Sequence, residues 1–201
     1  MEDKILKLFL HNNKLKFSEI EKLIKERSNK LAYHIKKLVK EGVIEKNKEH
    51  YKLSESAEHL IPYLSNKKSV LPVILIALKK DKKVFLYKRN KRPYKDKLSL
   101  PGGRLIFKET IPKATQRIVK EKFKINCKFK RVNSISLEHV KNKSNKEIYS
   151  FLLIFVTATT KDKISYLNVE KNKKNIISSD YKLIKNDSNK KIKIKNILSR
   201  S

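Results

Sequence analysis

The stretch LPGGRLIFKETIPKATQRIVKEKFKIN, Leu100 to Asn126, opens on the only adjacent glycines in the chain and closes in a lysine-rich run of helical period. In a sequence with three glycines, the Gly102–Gly103 pair is a positional demand, because glycine permits positive φ and close backbone approach. Thr110 suits a helix N-cap, Pro112 is tolerated in the first turn, and Ala114, Ile118, Phe123 and Ile125 continue the apolar pattern. On that helix positions 118, 121 and 122 are spaced i, i+3, i+4 and share one face. They carry isoleucine, glutamate and lysine.

Upstream, VLPVILIAL (70–78) is a continuous apolar run suited to a buried strand, KKDKK turns the chain, and VFLYKR (84–89) alternates as a second strand. Downstream, INCKFKRVNSISLEHV (125–140) and KEIYSFLLIFVTATT (146–160) read as strands joined by a polar turn, and NIISSDYKLIKND (175–187) as a closing helix. The basic tail from Lys185 suits either an edge strand or a disordered arm.

Strand, strand, loop, PGG, five residues, glutamate, then a helix with arginine eight positions later resembles a Nudix domain, whose box reads G-x5-E-x7-R-E-U-x-E-E-x-G-U with U aliphatic. Gly103, Glu109, Arg117, Val119, Glu121 and Ile125 match, whereas Ile118, Lys122 and Lys124 depart from it. The resemblance spans about residues 69–160 and implies an α/β/α sandwich with a mixed sheet. In the family three glutamates at the places of Ile118, Glu121 and Lys122 bind Mg²⁺ or Mn²⁺, which neutralises a pyrophosphate and activates water. With one of the three retained, ordinary hydrolysis and a resident metal are not expected. If hydrolysis persisted with Mg²⁺ or Mn²⁺, Glu121 would be the remaining metal ligand and catalytic residue, with Arg117 and Glu109 beside it. Glu138 or Glu147 would be the candidate auxiliary acid. The resemblance places ligand binding at Gly102, Gly103, Arg104 and Lys122, with the lysine offsetting phosphate charge in place of the cation.

The first 65 residues have a different pattern. Ile5, Leu6, Leu8 and Phe9 recur at helical spacing, Ser18 and Glu21 suggest a capping box for SEIEKLIKE, and SNKLAYHIKKLVKEG carries one apolar stripe closed by Gly42. VIEKNKEHYKLS then reads as two short strands, and ESAEHLIPYL as a last helix. This order resembles the winged helix-turn-helix of small repressors of the arsenical-resistance and multiple-antibiotic-resistance types. It implies double-stranded DNA as partner, with Ser28, Asn29, Lys30, Tyr33, His34 and Lys37 near the major groove and Lys46 and Lys48 on the wing. The fold class expected for the whole is therefore α+β, a winged helix at 1–65 and a Nudix-like domain with basic tail at 69–201, joined by the polar SNKKS connector.

Charge fits a polyanionic partner without naming it. The formal charge is +31, with 14 basic and 10 acidic side chains in residues 1–66, a balance of +4, leaving +27 for the remainder. A bias toward Lys, Ile and Asn can also reflect genome composition. No stretch approaches the roughly 18 apolar residues that span a bilayer, so a cytoplasmic protein without a membrane partner is expected. Cys127 is the only cysteine, which excludes an intramolecular disulfide and a multi-cysteine zinc site. Three functions stay open. The first is a transcription regulator sensing a nucleotide-type or phosphorylated ligand, with a homodimer among the arrangements it allows. The second is a metal-dependent Nudix hydrolase of nucleoside diphosphate derivatives with an accessory winged helix. The third is a nonspecific nucleic-acid binder.

Overall fold

The computed structural model describes residues 1–64, 69–197 and 199. Residues 65–68, most of the expected connector, lie outside these, as do 198, 200 and 201 at the end of the basic tail. The chain divides into two compact units, Met1–Ser69 and Val70–Ser201.

The N-terminal unit runs α1 (Glu2–Leu8), β1 (Leu15–Lys16), α2 (Phe17–Ile24), α3 (Ser28–Lys40), β2 (Ile44–Asn47) and β3 (His50–Leu53), followed by a 3₁₀ segment, Glu55–Tyr63. The strands form an antiparallel sheet in the order β1-β3-β2. Its core gathers Ile5, Phe9, Ile20, Leu31, Ile35, Leu38 and Ile44, so the α3 stripe read from sequence is the buried one.

Gly42 ends α3 as expected. Its φ is +70°, its N–H donates to Val39 O at 3.0 Å, and the Val43 N–H donates to Leu38 O at 2.9 Å, which is a Schellman closure. The other cap differs. Helix α2 begins at Phe17 with Lys16 as N-cap, and the Glu19 carboxylate accepts the Lys16 N–H at 2.6 Å. Ser18 lies inside the helix, since the residue three before Glu19 is the one whose amide it can reach. The expected last helix is a 3₁₀ segment.

The C-terminal unit is a mixed α+β fold. It contains β4 (Leu71–Lys80), β5 (Lys83–Val84), β6 (Tyr87–Lys88), β7 (Leu98–Ser99), β8 (Gly102–Arg104), α4 (Ile111–Phe123), β9 (Lys128–Lys141), β10 (Glu147–Thr159), β11 (Leu167–Asn168) and α5 (Ser178–Asp187). The sheet order is β11-β5-β4-β10-β9, with β8 also pairing β4, and β6 pairs β7 separately. Strands β4 and β10 run parallel, with Ile74 opposite Ile154, and the other pairs of the sheet are antiparallel.

Strand β4 is apolar on both faces because both are covered. Ile74, Ile76 and Leu78 pack with Ala114, Ile118 and Val119 of α4. Leu75 and Ala77 pack with Tyr181, Leu183 and Ile184 of α5. The end of α5 is pinned through buried Asn133, whose Nδ2 donates to Ser188 O at 2.8 Å while its Oδ1 accepts from Thr157 Oγ1 at 2.8 Å. Among its described residues the tail makes an isolated bridge, Val132 to Ile192, and no edge strand.

The expected VFLYKR strand divides into β5 and β6, and 125–127 precede β9 rather than joining it. The glycine pair is also used differently from the expectation of positive φ. Gly42 is the positive-φ glycine, whereas Gly102 and Gly103 lie in β8 and are short of space. A Cβ on Gly102 would stand 2.8 Å from Leu75 Cδ2, and one on Gly103 2.9 Å from Ile118 Cγ1. Close packing of β8 on β4 and α4 is the reason for glycine there.

Candidate functional site

Helix α4 starts as its sequence predicts, with Thr110 Oγ1 accepting from the Lys113 N–H at 3.4 Å. Eight residues after Glu109, Arg117 turns back to it: Nε donates to Glu109 Oε1 at 2.5 Å and a terminal nitrogen to Oε2 at 2.9 Å. The same guanidinium donates to Arg104 O at 3.0 Å and to Glu121 Oε2 at 3.2 Å. Arg117 thereby holds Glu109 well below the usual carboxylate range. Both residues hold the loop from β8 to α4 in place, and Glu121 lies at the exposed rim of this cluster.

Beside β8 is a cleft of roughly 190 Å³ with an apolar floor of Val73, Leu75, Phe151 and Leu153. Gly102, Gly103, Arg104 and Lys122, grouped as ligand-binding from sequence, all line it. Much of Lys122 is exposed, but its Nζ donates to Gly102 O. Desolvation of this ammonium lowers its pKa, and the positive charges of Arg89, Lys91 and Arg117 lower it further.

The ionisable lining residues missed from sequence are Arg89, Tyr94 and Asp180. Arg89 is fixed by its Nε donating to Pro93 O at 3.0 Å. The Tyr94 hydroxyl donates to Glu138 Oε1 at 3.1 Å, and its pKa is raised first by burial and then by the Glu138 charge. Asp180, 3% exposed, accepts from the Leu100 N–H at 2.8 Å and Ser99 Oγ at 2.9 Å. Burial still pushes its pKa up to about 6. Arg89 and Tyr94 come from the irregular loop between β6 and β7 and Asp180 from α5, so no local spacing announces the group. Of the two candidate auxiliary acids, Glu138 lines the cleft, whereas Glu147 pairs with His139 and Ser150 at the exposed end of β9 and β10.

The α4 face does not fit a divalent cation. Ile118 is 1% exposed and belongs to the core between α4 and the sheet. Lys122 brings a positive charge, and Glu121 is shared with Arg117. A hard cation needs several convergent oxygens, and among the described residues no group of three or more His, Cys, Asp or Glu side chains is placed to hold a metal.

On α3 of the other unit, the sequence candidates divide. Ser28, Asn29, Lys30 and Tyr33 are exposed, with Tyr33 65% accessible. Ser28 is hydrogen-bonded to Glu21 and Lys30 lies 3.5 Å from Glu26. His34 and Lys37 turn toward α1, where Glu2 Oε1 meets them at 3.1 and 2.9 Å. Lys36 and Lys40, absent from the candidates, join Asn29 and Tyr33 on one exposed stripe. Lys46 lies over the Tyr51 ring at 5.8 Å, and Lys48 is exposed at the turn between β2 and β3 with φ +53°.

No family model and no curated protein matches the chain. Among the described residues, no helix is long and apolar enough to cross a membrane. Solved structures resemble it in part. A Nudix hydrolase from Nitrosomonas europaea is 16% identical over 51% of this chain and 53% of that one, with a TM-score of 0.38; the match thus spans about half of that protein. A MutT Nudix hydrolase from Burkholderia pseudomallei is 13% identical over 58% and 97% of the two chains, with a TM-score of 0.46. The Nudix domain of Shewanella oneidensis NrtR, solved with ADP ribose, is 14% identical over 66% and 95%, with a TM-score of 0.46.

Proposed function

We propose that the C-terminal unit is a Nudix-type domain that binds a nucleotide-type or phosphorylated ligand without hydrolysing it, in a DNA-binding transcription regulator. The observation that carries this is the state of the α4 face. Ile118 is buried and the Lys122 ammonium is anchored on Gly102 O at the mouth of the cleft. A fixed positive charge there attracts the anion that a metal would attract, but supplies no site to activate water. Arg89 and Arg104 add charge around the same opening.

The N-terminal unit would be a winged helix-turn-helix on residues 1–65. Support comes from the order of helices and strands, the hairpin after α3, and the exposed stripe of Asn29, Tyr33, Lys36 and Lys40. An exposed helix face of this composition suits a major groove, with Lys46 and Lys48 toward phosphates. His34 and Lys37 are engaged by Glu2 and would contribute less to DNA contact than to holding α3 on α1.

The test has two arms. Calorimetry with AMP, ADP and ADP-ribose in EDTA should show binding, and phosphate release with Mg²⁺ or Mn²⁺ should be absent. Turnover that Glu121→Gln abolishes would refute the non-catalytic assignment and leave a hydrolase. For DNA, affinity for a random-pool-selected duplex should fall about tenfold or more in Lys36→Ala/Lys40→Ala, with a shallower salt dependence by about two phosphate contacts. Unchanged affinity and salt slope would refute the α3 interface.

A further inference from the structure

Strand β9 ends the sheet on one side, with β10 as its neighbour. On its outer side, among the described residues, the backbone contact is the bridge from Val132 to Ile192. From Ser134 to Val140 the pairing with β10 runs without a register shift, so this segment presents a regular row of backbone N–H and C=O groups with no strand beside it. Ile135 and Leu137 alternate onto one face and are 45% and 62% exposed. Ile154, opposite Ile135, belongs to the core beneath α4, so the apolar face runs outward past the helix to the edge.

Edge strands of this kind are ordinarily protected from pairing by lysine, proline or a bulge. The chain holds 51 lysines and arginines among 201 residues, yet VNSISLEHV (132–140) contains none, and no proline. Cations resume on both sides, with Lys128, Lys130 and Arg131 before the stretch and Lys141, Lys143 and Lys146 after it. A polyanion would therefore find nothing to neutralise it along the free edge. Two copies of this strongly basic chain, by contrast, meet here with little repulsion, because Glu138 is the one formal charge in the stretch.

We infer that this edge pairs with the same edge of a second copy, antiparallel about a twofold axis at Ser136, so that two sheets become one. The sequence selects the register. Residues opposite each other in an antiparallel pair share a face. Centring on Ser136 sets Ile135 of each copy opposite Leu137 of the other, which gathers four aliphatic side chains, and sets Ser134 opposite Glu138. Centring on Leu137 would put Ile135 opposite His139, and centring on Glu138 would bring two carboxylates together. On the reverse face, Ser136 and Glu138 line a groove of roughly 520 Å³ together with Lys182 and Lys190. Lys190 is paired with Asp187 at 2.6 Å, whereas Lys182 has no ion pair among the described residues and is available to Glu138 of the second copy. A seam this short makes the dimer a reversible one. The inference stands on the β9 edge alone and does not depend on what the cleft binds.

The experiment is sedimentation velocity on the full chain from micromolar to millimolar concentration, in high salt, which releases nucleic acid held through phosphate contacts. A monomer–dimer equilibrium is expected. Leu137→Lys should weaken it by about tenfold or more, since it removes two aliphatic pairs and adds two cations at the seam. Leu23→Lys, at an exposed apolar position on α2, should leave it unchanged, and circular dichroism checks that both variants are folded. Ser136→Cys tests the register. Opposed Cα atoms lie about 4.5–5.5 Å apart, within disulfide reach, so oxidised glutathione should cross-link two copies through position 136. Wild type, whose Cys127 is partly buried, should stay uncross-linked. A monomer at every concentration, or a dimer indifferent to Leu137→Lys, would overturn the β9 interface. A dimer lost equally in Leu23→Lys would overturn it as well, by placing the contact on the N-terminal unit. Association sensitive to Leu137→Lys without a cross-link at position 136 would overturn the twofold register.

Discussion

Gly103→Ala should destabilise the C-terminal unit by about 1–3 kcal/mol, the usual cost of forcing an extra methyl into a packed core. The new Cβ would stand 2.9 Å from Ile118 Cγ1, 3.1 Å from Cδ1 and 3.4 Å from Cγ2. Ile118 has little room to move, being 1% exposed and packed in one cluster with Ile74, Ile76 and Ala114. Gly103 does not have positive φ, so the cost comes from contact rather than backbone strain and shortening Ile118 should remove it. Ile118→Ala alone leaves a cavity and should cost about 2–5 kcal/mol. In the double variant the methyl introduced by Gly103→Ala occupies part of that cavity, and the total should fall short of the sum by about 1–2 kcal/mol. The chain has two units, so a single melting curve would mix their transitions. Native-state amide hydrogen exchange of α4 and β8 in the full chain reads the relevant unit directly. Additive costs, or a neutral Gly103→Ala, would refute the contact. Position 118 would then be free to face the cleft, and the case against a metal site would lose its main support.

Asp180 has a folded pKa of about 6 against an ordinary 3.8, so the native chain keeps a proton that the unfolded chain has released. Stability should therefore fall as pH rises from about 4 to 6, by on the order of 3 kcal/mol. Asp180→Asn should flatten this dependence in exchange measurements at pH 4 and 6.5, and an unchanged slope would exclude Asp180 as its source. Glu109→Gln should cost about 1–3 kcal/mol, since it removes the charged partner of Arg117. Because the folded pKa of Glu109 is lowered, its contribution is complete above the ordinary carboxylate range and lost as pH falls through the folded value. The difference between wild type and variant should thus shrink in acid, and a constant difference would count against the ion pair. Lys124 caps α4 with φ +61°, a conformation costing non-glycine residues about 1–2 kcal/mol against a glycine entropy cost of about 0.5–1 kcal/mol. Lys124→Gly should stabilise by about 0.5–1 kcal/mol by hydrogen exchange, and destabilisation would show that the lysine side chain contributes to that cap.

How much could be read in advance depended on the range of the interactions. Thr110, Pro112 and the apolar spacing placed α4, and Gly42 placed the end of α3, because caps and helix periodicity act within one or two turns. Strand β1 escaped notice, since two residues have no period and Leu15 and Lys16 become a strand only by pairing Tyr51 and His50. The Ser18 cap failed for a related reason: serine is a good cap in isolation, but the Glu19 carboxylate reaches the Lys16 amide instead. The cleft was legible where it touches the glycine-rich stretch. Arg89, Tyr94 and Asp180 were not, as the loop between β6 and β7 and helix α5 bring them there from far apart in sequence.

By itself the sequence determined that positions 118, 121 and 122 share a helix face carrying isoleucine, glutamate and lysine, since side-chain type and helical spacing are local properties. Only the tertiary structure decided what each side chain does: Ile118 became core because β8 packs tightly enough on α4 to require glycine at 103, and Lys122 stands among other cations because the loop from β6 to β7, distant in sequence, brings Arg89 and Lys91 to it. Burial and convergence of charge depend on chain segments far apart in sequence, and no single stretch encodes them.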